Sequence, residues 1–205
     1  MTYRWEITHA MLRQGVVGIV RTADAASAVA AARSVLDAGL HSVEVPLTNP
    51  GALAAIEELT AAYPDATIGA GTVLDSTAAV LAIRAGARFL VSPSVDTGVI
   101  RTAHRYGAAA LPGAGSVTEI MRALEDGADA VKVFPASALG PQWVKDVRAA
   151  LPQAPLVPTG GVTLEDVPSW LAAGAVACGI GSALTRGTAD DIRARVAALV
   201  RKDAA

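Results

Sequence analysis

The feature that most limits the fold of this chain is a series of short apolar runs, each followed by a helix-length segment, with a spacing of roughly 25 residues. The runs occupy residues 16–20, 42–45, 67–73, 88–92, 108–111, 130–135, 156–159 and 176–180. They are rich in Val, Ile and Ala, and most end near proline or glycine, as buried strands do. Helical stretches over 25–38, 51–63, 75–85, 96–106 and 116–126 separate the earlier runs, and further helices follow the later ones. Asp24 and either Asp75 or Ser76 stand where N-caps are needed, while Gly39, Gly86 and Gly107 stand where helices must stop. One more helix is expected around 5–14, and Pro112-Gly113 reads as a turn.

Eight such alternations predict an α/β fold, a (β/α)8 TIM barrel with an extra N-terminal helix, in a single domain over residues 1–205. An open doubly wound sheet is the competing architecture. No GxGxxG follows the first run, and polar residues sit at the C-terminal end of nearly every run, where barrel chemistry collects. The composition suits one large core, being 52% hydrophobic and only 18% charged. With 4% aromatic residues, that core is built from small aliphatic side chains, the usual filling of parallel sheets covered by helices.

The formal charge of -2 and the lack of any Lys/Arg run argue against nucleic acid or an anionic membrane as a partner. The single cysteine, Cys178, rules out an intrachain disulfide and reads as buried filler. His9, His41 and His104 have no ligand spacing, so neither a metal nor another cofactor is expected. No stretch is apolar enough to span a membrane or act as a signal segment, and a cytoplasmic location is expected.

Within the run at 130–135, alternation sends Val131 and Val133 to one face and Lys132 and Phe134 to the other. In a closed barrel Lys132 is buried, and a buried ammonium must find a partner or lose its proton. The ends of runs one, two, three and six bring Arg21, Glu44, Thr72 and Lys132 to one mouth. A lysine and a carboxylate there form either a structural ion pair or a nucleophilic amine beside its proton shuttle. An amine active near neutrality must drop from ~10.4 by about three units, roughly 4 kcal/mol. Apolar neighbours and the Arg21 charge can supply that.

Two glycine-containing loops follow the last runs: Thr159-Gly160-Gly161-Val162-Thr163 and Gly179-Ile180-Gly181-Ser182. Glycine lets an anion approach the backbone amides closely, and barrels commonly bind phosphate after strands seven and eight. Arg21 beside a hydroxyl can hold a carboxylate in bidentate fashion, or can pair with Glu44. Thr72 can contribute that hydroxyl or merely satisfy the backbone of its turn, and Pro93 shapes the pocket. These residues imply a phosphorylated substrate with a second anionic group, attacked by an amine.

The same segments resemble the aldolases of 2-keto-3-deoxy-6-phosphogluconate (KDPG) and of its galactonate epimer (KDPGal). They are Gly18-Ile19-Val20-Arg21, Val43-Glu44-Val45-Pro46-Leu47, Gly69-Ala70-Gly71-Thr72-Val73-Leu74, Val91-Ser92-Pro93, Lys132-Val133-Phe134-Pro135-Ala136, Pro158-Thr159-Gly160-Gly161-Val162 and Gly179-Ile180-Gly181-Ser182. The resemblance implies a class I aldolase that forms a Schiff base through Lys132, with Glu44 moving protons through a bound water. It implies Arg21 and Thr72 at the pyruvyl carboxylate, with Gly160, Gly161, Val162, Gly181 and Ser182 at the phosphate. Pro93, Phe134 and Thr159 would line the pocket and set specificity. It further implies a homotrimer acting on a phosphorylated 2-keto-3-deoxy sugar acid and releasing pyruvate and glyceraldehyde 3-phosphate.

Which epimer is used stays open. Thr48 stands where KDPG enzymes usually carry an arginine, and Gly140-Pro141-Gln142-Trp143 also resembles the KDPGal branch. Pro158-Thr159 resembles the KDPG branch, and Thr159 is placed to meet a substrate hydroxyl. Two other functions fit the bare residues: a sugar-phosphate isomerase or epimerase with Glu44 as base, and a non-catalytic phosphate-ligand sensor. Imine formation with pyruvate separates the first from an aldolase, and turnover separates the second.

Overall fold

The computed structural model describes residues 3–200. The alternation takes the form α1 (Arg4–Leu12), β1 (Val16–Ile19), α2 (Ala25–Leu36), β2 (Ser42–Pro46), α3 (Ala52–Ala62), β3 (Thr67–Gly71), α4 (Ser76–Arg84), β4 (Phe89–Val91) and α5 (Thr97–Arg105). It continues as β5 (Ala109–Leu111), β6 (Gly113–Ala114), α6 (Val117–Glu125), β7 (Val131–Val133), α7 (Ala136–Ala150), β8 (Leu156–Pro158), α8 (Val167–Ala172), β9 (Cys178–Ile180) and α9 (Ala189–Leu199). Local chemistry sets the helix boundaries. Asp24, Asp75, Asp96, Ser116 and Thr188 each accept an amide proton of the first helical turn.

All strand pairs are parallel, in the orders β5-β4-β3-β2-β1-β9 and β6-β7-β8. An isolated parallel bridge, Thr159 to Gly179, ties the end of β8 to β9. The molecule is thus an α/β fold with a curled parallel sheet. The expected turn at Pro112-Gly113 is a strand break instead. Pro112 has no amide proton to donate, yet its carbonyl accepts from the Lys132 amide at 2.9 Å, and the chain resumes as β6 against β7. A Cβ on Gly113 would collide with the Pro93 backbone, so only glycine fits this crossing.

Strand alternation sorts the apolar side chains into two layers. Val43, Val45, Ile68, Leu90, Val131 and Val133 pack outward under the helices. Val17, Phe89, Val91, Leu111 and Val157 pack inward with Ile7 and Met11 of α1. The α1 helix therefore closes the N-terminal end of the sheet. Arg4 Nε lies 3.1 Å from Asp129 Oδ1, and Gln14 bridges the Gly39 carbonyl and the His41 amide at 2.9 and 2.7 Å.

Candidate active site

The outward valines of β2 and β7 force the residues between them inward, so Glu44 and Lys132 face the interior with 4% and 7% exposure. Two glycines of β3 make room for what lies beside them. A Cβ on Gly71 would overlap the Glu44 carboxylate, and one on Gly69 would come within 2.5 Å of the Phe89 ring. Lys132 Nζ stands 4.7 Å from the centroid of Phe134, over the ring face.

Glu44 and Lys132 share this mouth without a direct bridge: among the described residues no carboxylate lies within 4.0 Å of Lys132 Nζ. Burial pushes the Lys132 amine below its ordinary value, Glu44 opposes that shift, and the Arg21 charge adds to it. Burial pushes the Glu44 carboxyl up, against the pull of Lys132 and Arg21. In both groups burial is the larger effect, so both move towards neutrality.

Thr72 follows β3 with φ of 54°, the only non-glycine residue at positive φ among those described. A β-branched side chain rarely adopts that conformation, and such strain gathers at working sites. Thr159 is buried, its side chain lying over Gly179, and its hydroxyl donates to the Val157 carbonyl at 3.2 Å. Arg21 is exposed and Pro93 half-buried at the same end.

Gly160 and Gly161 both have left-handed φ, 86° and 80°. The amides of Gly161, Val162 and Ser182 donate to no backbone carbonyl among the described residues. Val162 buries its side chain in the outer apolar layer, so its amide is the group it can offer. These loops do not run straight into helices: α8 starts at Val167 and α9 at Ala189. A turn closed from Leu184 N to Gly181 O at 3.1 Å follows β9 instead.

A family model described as "Aldolase: KDPG and KHG aldolase" matches residues 7–199. The chain belongs to the KDPG and KHG aldolase family. It is 41% identical over 173 residues to the 2-dehydro-3-deoxy-6-phosphogalactonate aldolase of Escherichia coli K12, covering 83% of this chain and 84% of that one. It superposes on the KDPG aldolase of Zymomonas mobilis ZM4 with 3-phosphoglycerate, with a TM-score of 0.85, 31% identity and coverage of 98% and 100%. The KDPG aldolase of Legionella pneumophila, with pyruvate captured as a covalent carbinolamine, gives a TM-score of 0.84 at 28% identity, covering 98% and 99%.

In this aldolase, sequence reasoning placed residues 67–73 in a strand but missed the packing roles of Gly69 and Gly71, because the side chains that fill the space beside them come from other strands. Alternation with the outward Ile68 and Ala70 could have found them. It also missed Ser137, whose amide donates to the Gly160 carbonyl at 2.9 Å and whose Cβ would lie 2.5 Å from a Cβ on Gly161. No local signal marks that contact.

Proposed function

We propose that this chain is a class I aldolase cleaving KDPG, KDPGal or both to pyruvate and D-glyceraldehyde 3-phosphate. The observation that carries the reading is one buried lysine among the described residues, its pKa depressed, sharing the interior with a buried glutamate whose pKa is raised. Burial eases loss of the Lys132 proton and retention of a proton on Glu44, the two states that amine attack and later proton delivery use. The Thr159–Gly179 bridge and the one-residue break at Pro112 support reading the two sheets as one closed eight-stranded barrel in a single domain.

In the proposed reaction the neutral amine of Lys132 attacks the C2 carbonyl of the substrate to give a carbinolamine. Loss of water gives the protonated imine. A base takes the C4 hydroxyl proton, the C3–C4 bond breaks, and its electron pair enters the imine to form an enamine. The phosphorylated aldehyde leaves. Glu44, directly or through a water, protonates the enamine at C3, and hydrolysis of the resulting imine releases pyruvate and restores the amine.

Arg21 and Thr72 receive the carboxylate, the unpaired amides of the Gly160-Gly161-Val162 and Gly181-Ser182 loops receive the phosphate, and Pro93 and Phe134 wall the channel between them. Thr159 meets the C4 hydroxyl. Its own hydroxyl already donates to Val157 and so can accept from the substrate in either configuration, which favours use of both epimers. Family membership supports a cytoplasmic homotrimer. Exposed Leu81 and Tyr106, which line one surface hollow, are apolar surface that assembly could cover.

The test is borohydride reduction in the presence of pyruvate. The chain has three lysines, Lys132, Lys145 and Lys202, and peptide mass analysis should find the reduced pyruvyl group on Lys132 alone. A label on Lys145 instead, or no label with substrate still turned over, would sink the assignment.

A further inference from the structure

Arg21 leaves the end of β1 with an exposed side chain, and a free arginine samples many rotamers. Two residues of the turn between β2 and α3 restrain it. Arg21 Nη1 donates to Thr48 Oγ1 at 3.1 Å. Asn49, only 4% exposed, donates from Nδ2 to the Val20 carbonyl at 2.7 Å. The Val20 amide in turn donates to the Glu44 carbonyl at 3.0 Å. The backbone from which Arg21 departs is therefore fixed on both sides by the segment that carries Glu44. That segment is itself closed by Asn49 N to Pro46 O at 3.0 Å, and Leu47 N ties it to Gly71 O at 2.8 Å.

We propose that Thr48 and Asn49 are positioning residues that hold Arg21 ready for the carboxylate end of the substrate. The inference rests on the reading of Arg21 given above and adds how the guanidinium is aimed. A guanidinium carries five N–H donors. With one Nη1 proton on Thr48, Nε and Nη2 stay free to form the two parallel bonds that suit a carboxylate. Asn49 fixes the start of the side chain and Thr48 its tip, so part of the ordering that binding would otherwise require is already present. Neither residue needs to touch the reacting atoms. A hydroxyl at position 48 thus gives a short side chain a part in carboxylate binding, through the arginine of the neighbouring strand.

The test uses the full chain in the condensation direction, with pyruvate and D-glyceraldehyde 3-phosphate varied separately. Thr48→Val keeps the shape and removes the acceptor. It should raise the KM for pyruvate roughly fivefold, the size of one lost hydrogen bond, with kcat and the KM for the aldehyde within about twofold of wild type. Thr48→Ser should restore the pyruvate KM. Arg21→Gln should raise it as well, and adding Thr48→Val to that background should change nothing further. Wild-type pyruvate KM in Thr48→Val, alongside a raised one in Arg21→Gln, overturns the positioning role and leaves the Arg21 reading intact. An unchanged pyruvate KM in Arg21→Gln overturns the Arg21 reading first. Equal increases in both KM values together with a lower melting temperature assign Thr48 to the turn alone and also overturn the inference.

Discussion

Lys132 and Glu44 each sit where burial disfavours the charged form, and each favours the charged form of the other. This coupling fixes the sign of a pH experiment. The Glu44 carboxylate raises the pKa of Lys132 and the Arg21 guanidinium lowers it. Glu44→Gln should therefore move the acidic limb of imine formation with pyruvate to lower pH, and Arg21→Gln should move it to higher pH. Stopped-flow or trapping rates across pH read the position of the limb independently of its height. In Glu44→Gln, imine trapping should persist while exchange of the pyruvate methyl protons with solvent falls by about 10²-fold or more, the usual contribution of a general base. Near-normal exchange would remove Glu44 from the proton-transfer role, and limbs displaced the opposite way would overturn the charge coupling to Lys132. Thr72 belongs to the same scale. Its left-handed backbone costs about 1–3 kcal/mol, which the surrounding structure must offset.

At the scale of elements, the loop after β8 shows how backbone and neighbouring helix specify each other. Ala136 N donates to Thr159 O and Ser137 N to Gly160 O, both at 2.9 Å, so the first turn of α7 is tied to the glycine pair. That turn is short: Gly140, with φ of 80°, and Pro141 interrupt α7, because proline cannot donate to the preceding turn. Gly161 is held at left-handed φ with Ser137 against the place where a Cβ would be. Gly161→Ala should thus displace the loop. The KM for D-glyceraldehyde 3-phosphate should rise about tenfold, equivalent to ~1.4 kcal/mol, while that for pyruvate changes little. Equal loss for both substrates would mean damage to the sheet rather than to a phosphate site.

Across the whole molecule, the two ends of the curled sheet are treated differently. The end opposite the candidate site is closed by α1, with Met11 fully buried and Ile7 at 6% exposure in the inner cluster, while Trp5 on the same helix is 68% exposed. Asp129 secures the closure electrostatically, accepting from the Ala110 amide at 2.9 Å and lying 3.1 Å from both His104 Nε2 and Arg4 Nε. Met11→Ala should cost about 2–5 kcal/mol in denaturant unfolding, the range for truncating a buried core side chain, whereas Trp5→Ala should be within about 0.5 kcal/mol of wild type. A small effect of Met11→Ala would mean that α1 covers the inner cluster without being needed to hold it.

The order of strands and helices, the cap at Asp24, a cap at Asp75 or Ser76 and the sorting of side chains to opposite faces of β2 and β7 were legible in the sequence because each depends on a period or a neighbour a few residues away. Alternation set Lys132 and Glu44 on the face opposite the valines of their strands, and the barrel reading made that face the interior. The family motifs, spread from β1 to β9, were equally plain. What the sequence could not decide depends on residues far apart in the chain. The fifth run continues past Pro112 because β7 offers a partner there, and the bare Gly69 and Gly71 matter because Phe89 and Glu44 occupy their space. The Arg21 to Thr48 bond and the Asn49 hold on Val20 likewise join segments 27 and 29 residues apart. Local pattern specifies which face a side chain takes. Only closure of the sheet determines which side chains meet, since packing and the loss of water around two buried charges arise when distant strands come together.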